Sequence, residues 1–114
     1  MNYYQFNIND YLSNTAHLEP IEDLSYRRLI EYYYQTESAI TSDMRTLCKR
    51  IRLALHEVEV KAVLDEFFTL SDDGLFYEHA RCEKEIRAYQ EKSEKAAKSA
   101  NSRWNKPAKD AVAD

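Results

Sequence analysis

Apolar residues recur along this chain at two spacings, every second position near the start and every third or fourth position after that. Tyr4, Phe6 and Ile8 alternate with polar neighbours, which predicts a short strand or an extended arm laid over a core. Leu18-Glu19-Pro20 then opens a helix, with Pro suited to its first turn and Glu22 and Asp23 complementing the positive end of its dipole. Tyr26, Leu29, Ile30 and Tyr33 share one face of that helix, while Ile21 and Leu24 point elsewhere. A helix apolar on more than one side is a central one. Ser38-Ala39-Ile40 is long enough only for a bridge or a minimal strand. Thr41, Ser42 and Asp43 are all favourable N-cap residues. The stripe Met44, Leu47, Cys48 and Ile51 follows them as a second helix, and Val60, Val63, Leu64 and Phe67 repeat the spacing as a third.

Phe68-Thr69-Leu70 and Leu75-Phe76-Tyr77 flank Ser71-Asp72-Asp73-Gly74. Asp-Gly between β-formers signals a hairpin, because glycine accepts the positive φ of the turn. From about Ala80 to about Trp104 a long polar helix is expected. It carries the acid-first pairs Glu83–Arg87, Glu91–Lys95 and Glu94–Lys98 and a thin seam of Cys82, Ile86, Tyr89, Ala96, Ala100 and Trp104. The fold class is therefore mainly α with a small β component. It is winged-helix-like, a three-helix core plus a β-hairpin wing, with an N-terminal strand or arm and a long C-terminal helix. The expected organisation is a winged-helix-like domain over 1–80, a helical extension over 81–104, and a linker or disordered tail over 105–114.

Composition narrows this only slightly. A length of 114 residues suits one domain with a modest core. One Gly, two Pro and 44% hydrophobic residues argue against disorder and against a many-turned β fold. Charge changes the picture more. The formal net charge of −4 divides into −7 over residues 1–79 and +3 over residues 80–114, an acidic body followed by a basic tail. Cys48 and Cys82 lie among apolar helical positions and read as buried reduced thiols. The N-terminus lacks a basic-then-apolar run and no apolar stretch approaches a membrane span. A cytoplasmic protein without membrane contact is expected.

Catalytic chemistry finds little footing. His17, His56 and His79 are scattered with no nucleophile at a motif spacing, and Gly74 alone cannot make a phosphate loop. His79 and Cys82, joined by Cys48 or His56, form the best metal candidate, but paired Cys-x-x-Cys spacing is missing. His79 at a strand end and Cys82 packed under the last helix is the plainer account of these residues. Asp72, Asp73 and Glu78 match no alternating calcium loop and read as a solvated turn. Neither a catalytic residue, a cofactor nor a metal is expected.

Nucleic acid is the stronger candidate ligand. Arg45, Lys49 and Arg52 are spaced to form one ridge on the second helix, with Arg50 on its other flank. Such a ridge contacts phosphates and gains from counterion release, or is an ordinary solvated face. Arg27 and Arg28 on the central helix fit pairing with Asp23 or Glu31 one turn away. The third helix and hairpin carry Glu57, Glu59, Asp65, Glu66, Asp72, Asp73 and Glu78 against Lys61 alone, which makes groove reading there unfavourable. The tract from Lys95 to Lys109 holds no acid, so Lys95, Lys98, Arg103 and Lys106 are the second candidate set. A solubilising spacer, or a helix pairing with another subunit, explains that tract as well.

Several long motifs carry a resemblance. MNYYQFNINDYLSNTAHLEPIEDLSYRRLIEYYY, DEFFTLSDDG and ARCEKEIRAYQEKSEKAAKSANSRW are similar to the YdaU-like family of prophage-encoded proteins, over about residues 2–104. That family resembles the N-terminal domain of phage replisome organisers. The resemblance implies a DNA-associated domain of a replication-initiation protein, with residues 105–114 leading toward a C-terminal region. Two functions stay open on the residues themselves. One is weak DNA binding through the basic sites. The other is an interaction or oligomerisation module whose acidic surface docks a host replication factor or a second copy, the C-terminal helix joining a homo-oligomer.

Overall fold

The computed structural model describes residues 8–112, with side chains described over 11–97. Helix α1 (Ile8–Thr15) precedes α2 (Pro20–Thr36), strand β1 (Ile40–Thr41), α3 (Met44–Arg50), α4 (Glu57–Phe67), the hairpin strands β2 (Thr69–Leu70) and β3 (Phe76–Glu78), and α5 (Ala80–Val112). The three strands form an antiparallel sheet in the order β1-β3-β2. Three helices, a bridging strand inserted after the first, and a terminal hairpin make a winged-helix arrangement, as the hydrophobic spacing predicts.

Helix α2 is central. Leu29, Tyr33, Tyr34 and Ser25 on it are buried, so it loses surface on both sides. Leu47 and Cys48 of α3 and Val60, Val63 and Leu64 of α4 meet it in a single core, closed by Ile40, Tyr77 and Phe68 from the sheet and by Cys82 and Ile86 from α5. Glu22 accepts the Glu19 N–H at 2.9 Å and secures the first turn of α2. Its last turn ends at Glu37, whose φ of 53° turns the chain away and whose N–H bonds back to the Tyr33 carbonyl. The wing turn rests on Gly74 at φ 75°. Asp73 Oδ1 accepts the Leu75 N–H at 3.0 Å, and the Ser42 hydroxyl donates to the Gly74 carbonyl at 2.6 Å, tying the turn to the end of β1.

Three expectations need correction. The arm containing Ile8 is not extended from that residue on. Ile8–Thr15 is helix α1, while Tyr4 and Phe6 lie outside the described residues. A helical spacing of Ile8, Tyr11, Leu12 and Thr15 begins where the alternation ends, and tertiary contacts support it. Thr15 is buried, Tyr11 donates a hydrogen bond to Asp23, and the rings of Tyr11, Tyr26 and Phe67 run from α1 across α2 to α4, where Phe67 also stacks with His17 of the turn after α1. The last helix continues past Trp104 to Val112, through Pro107, so the stretch expected as a linker is helical up to Val112. Finally, Glu83 does not pair with Arg87. It accepts the Tyr33 hydroxyl at 2.6 Å, Glu85 accepts the Tyr34 hydroxyl, and these two bonds fasten α5 to α2. Burial first and these carboxylates second push both tyrosine pKa values up, so both phenols stay protonated donors.

Beyond Ile86 the described part of α5 buries nothing: residues 87–97 are all exposed. A helix of 33 residues is about 50 Å long, and it accounts for the elongated outline of 62 × 32 × 25 Å.

Candidate functional site

The basic residues of α3 sit where the chain leaves the core. Asp43 starts the helix and binds the Thr46 hydroxyl at 2.7 Å. That bond, and backbone N–H groups of the first turn, hold its carboxyl below the usual range. Arg45 and Lys49 are exposed one turn apart, on the side opposite the buried Leu47 and Cys48. The helix ends at Arg50, so Arg52 does not continue their ridge. Arg52 instead occupies the turn to α4 with φ 62°, its N–H bonded to the Lys49 carbonyl at 3.1 Å. The expected Arg45, Lys49, Arg52 ridge is therefore a two-residue ridge with Arg52 swung out beyond its end. Leu53 follows and is buried. Burying Leu53 directly after α3 requires the sharp reversal that the left-handed residue provides.

Arg28 joins this region. Its Nη1 donates to the carbonyls of Ile51 and Arg52, each at 3.1 Å, so a guanidinium satisfies acceptors left open at a helix C-terminus. This replaces the expected pairing with Glu31. Arg27 packs over the Tyr11 ring, its guanidinium carbon 5.5 Å from the centroid. Arg50 donates to the Tyr32 hydroxyl at 2.9 Å. Arg28, Arg50 and Arg52 line one open cleft of about 200 Å³ between α2 and the end of α3, with Tyr32 on its wall and Glu31 as its acid. Arg45, Lys49, Arg50 and Arg52 form no ion pair among the described residues, whereas Lys61 on α4 is held by Asp65 at 2.5 Å and Arg81 by Glu85 at 3.4 Å. Four cations in no salt bridge within eight residues, with Asp43 alone interacting with Arg45, make a local positive field on an acidic body.

The surface of α4 is built otherwise. Val58 is 80% exposed and Leu55, in the turn before it, 93% exposed. Glu57, Asp65 and Glu66 are exposed beside them, and Lys61 is the sole cation of the helix. The hairpin tip adds Asp72 and Asp73. Among the remaining candidates, Lys95 is exposed on α5, while Lys98, Arg103 and Lys106 lie on that helix beyond the described side chains.

The cysteines and histidines are structural in their contacts. Cys48 and Cys82 are free and buried, and burial pushes the Cys82 thiol up to about 12, so it stays protonated at neutral pH. His79 Nδ1 accepts the Cys82 N–H at 3.3 Å and its ring meets Phe68 edge-on at 5.0 Å. Burial, and then Arg81, lower its pKa, which keeps the ring neutral and able to accept that bond as a cap for α5. Among the described residues no three His, Cys, Asp or Glu side chains gather as a metal would require. No helix there is long and apolar enough to cross a membrane.

Fold and surface thus define a winged-helix domain extended by a long helix, with Arg45, Lys49 and Arg50 exposed on the first helix of the helix-turn-helix pair and Lys61 alone on the second. The chain belongs to the family described as protein of unknown function DUF1376, whose model matches residues 2–87. That match stops at the point where α5 leaves the core, one residue after the buried Ile86. Neither the curated proteins nor the solved structures yield a significant match.

Proposed function

We propose that this chain is the DNA-associated module of a prophage replication-initiation protein of the YdaU-like, replisome-organiser type. It holds DNA by the phosphate backbone at the end of α3 and does not read base edges with α4. The observation that carries this reading is the group Arg45, Lys49, Arg50 and Arg52, exposed and in no salt bridge among the described residues, with Asp43 beside Arg45 as the one acid felt by the group. Arg28 lines the same cleft. In a helix-turn-helix pair the first helix crosses the backbone and the second enters the groove, and the charges here suit the first role alone. Phosphate contacts position a protein without specifying sequence, so this domain binds weakly and sequence selection comes from elsewhere. Lys95, Lys98, Arg103 and Lys106 on α5 extend the contact.

The test is a salt titration of binding to double- and single-stranded DNA. The reading expects affinity that falls steeply with salt, on the order of 0.9 logarithmic units per logarithmic unit of salt for each phosphate neutralised on duplex. Binding that is insensitive to salt, or no binding at low salt, refutes it.

A further inference from the structure

The start of α4 and the far half of α5 are each incomplete as surfaces, and they are complementary. Single exposed apolar residues on a monomer need no explanation. Leu55 and Val58 differ because they lie three residues apart where α4 begins, at 93% and 80% exposure, with Ala54 and Ala62 of the same stretch exposed too. Glu57, Asp65 and Glu66 rim the patch. Over its length α4 carries Glu57, Glu59, Asp65 and Glu66 against Lys61, and Lys61 is occupied by Asp65. In this position a groove-reading helix would need cations.

The far half of α5 has the opposite character. From Lys92 to Lys109 it carries Lys92, Lys95, Lys98, Arg103, Lys106 and Lys109 against Glu94 alone. Tyr89 is 41% exposed, and Ala96, Ala100 and Trp104 continue its seam at seven- and four-residue steps. The side chains described in this half, at residues 92–97, are all exposed. Most helical stability in proteins comes from packing of an apolar face, and the seam of this half is covered only if another surface meets it. Its own α4 is out of reach, because α5 is one continuous helix that points away from the core.

We propose that the α4 face bearing Leu55, Val58 and Glu57 receives the basic far half of α5 from a second copy of this chain. The donor and acceptor surfaces differ, so the contact is head-to-tail, and such contacts extend into open chains or close into rings. Glu57 and its neighbours meet the lysines, and Leu55 and Val58 meet the Tyr89–Ala96 seam. The small apolar area makes the association weak and strongly dependent on salt. Its acceptor on α4 is no part of the proposed DNA contact, but its donor shares Lys95 and Lys98 with the α5 extension of that contact, so the association is tested on protein free of nucleic acid.

The experiment is light scattering of the intact, nucleic-acid-free protein across concentration. At low salt the average mass is expected to at least double with rising concentration and to return to monomer at high salt. Leu55→Lys with Val58→Lys removes the acceptor, and Lys92→Glu with Lys95→Glu and Lys98→Glu removes the donor. Each variant alone is expected to be monomeric, while an equimolar mixture pairs one intact donor with one intact acceptor and stops at the dimer. All substituted side chains within the described residues are exposed, so an unchanged melting midpoint checks that folding is intact. An intact chain that remains monomeric at high concentration and low salt overturns the proposal, as does a mixture that fails to pair. A mass that rises unchanged in the acceptor variant overturns it as well and points to self-association elsewhere.

Discussion

Helices α3 and α4 follow one another in the chain, pack on the same core and are both amphipathic, yet their outer faces are opposites. Outside Leu47 and Cys48, α3 presents Arg45, Lys49 and Arg50 with no acid on the helix. Outside Val60, Val63 and Leu64, α4 presents Val58 and acids whose single cation is already paired. Core-facing positions are set by burial and leave the outer face free to vary, so a fold common among DNA readers does not by itself assign the reading helix. The two proposals accordingly assign backbone contact to α3 and protein contact to α4.

The sharpest separation lies within α4 itself, between its two faces. Leu64 is fully buried, and Leu64→Ala is expected to cost about 2–5 kcal/mol through reduced burial and the cavity left behind. Val58→Ala, on the exposed face, is expected to stay within about 0.5 kcal/mol. Denaturant melts of the two variants decide it. A Val58 cost comparable to that of Leu64 means the exposed face is covered within the monomer.

Charge reversal tests the division between helices directly. Arg45→Glu, Lys49→Glu and Arg52→Glu together are expected to lower DNA affinity on the order of a hundredfold at low salt. The salt slope should flatten by roughly 0.9 for each phosphate that is no longer neutralised. Glu57→Gln with Asp65→Asn on α4 changes affinity far less. Equal effects from both sets would erase the contrast between α3 and α4.

The sequence revealed the fold more readily than the site. Stripes such as Leu47/Cys48 and Val60/Val63/Leu64 repeat a helical period, and Asp73-Gly74 names its own turn, so core and wing followed from local pattern. Where two periods overlapped, as at Ile8, alternation misled and only the contacts of Tyr11 and Thr15 with their neighbours resolve the segment. The partnerships of Arg28 with Ile51 and Arg52, and of Tyr33 with Glu83, span 23 to 50 residues, and no local spacing encodes them. The ridge failed at Arg52 because helical spacing says nothing about where a helix stops. The burial of Leu53 set that end.

Arg28 sharpens the comparison at smaller cost. Arg28→Met keeps the aliphatic stem and removes the donor to the Ile51 and Arg52 carbonyls. A decrease in stability of about 1 kcal/mol is expected, together with weaker DNA binding, because the turn that presents Arg52 loosens. Reduced stability with affinity unchanged would make Arg28 a brace for α3 with no part in presenting the basic end.

The smallest effect separates geometry from charge at one residue. Arg52 holds φ 62°, a conformation that costs a side-chain-bearing residue roughly 1 kcal/mol and glycine almost nothing. Glycine also gains freedom in the unfolded chain, which offsets part of the relief. Arg52→Gly is therefore expected to raise stability by up to about 0.5 kcal/mol. Arg52→Ala keeps the strain and gains nothing. Both substitutions remove the same charge and are expected to flatten the salt slope of DNA binding equally, by roughly 0.9. Thermal melts and salt titrations on the pair give two independent readouts. A glycine variant no more stable than the alanine variant would show that the turn is not strained. Slopes equal to the unsubstituted chain would remove Arg52 from the basic contact and confine it to Arg45, Lys49 and Arg50.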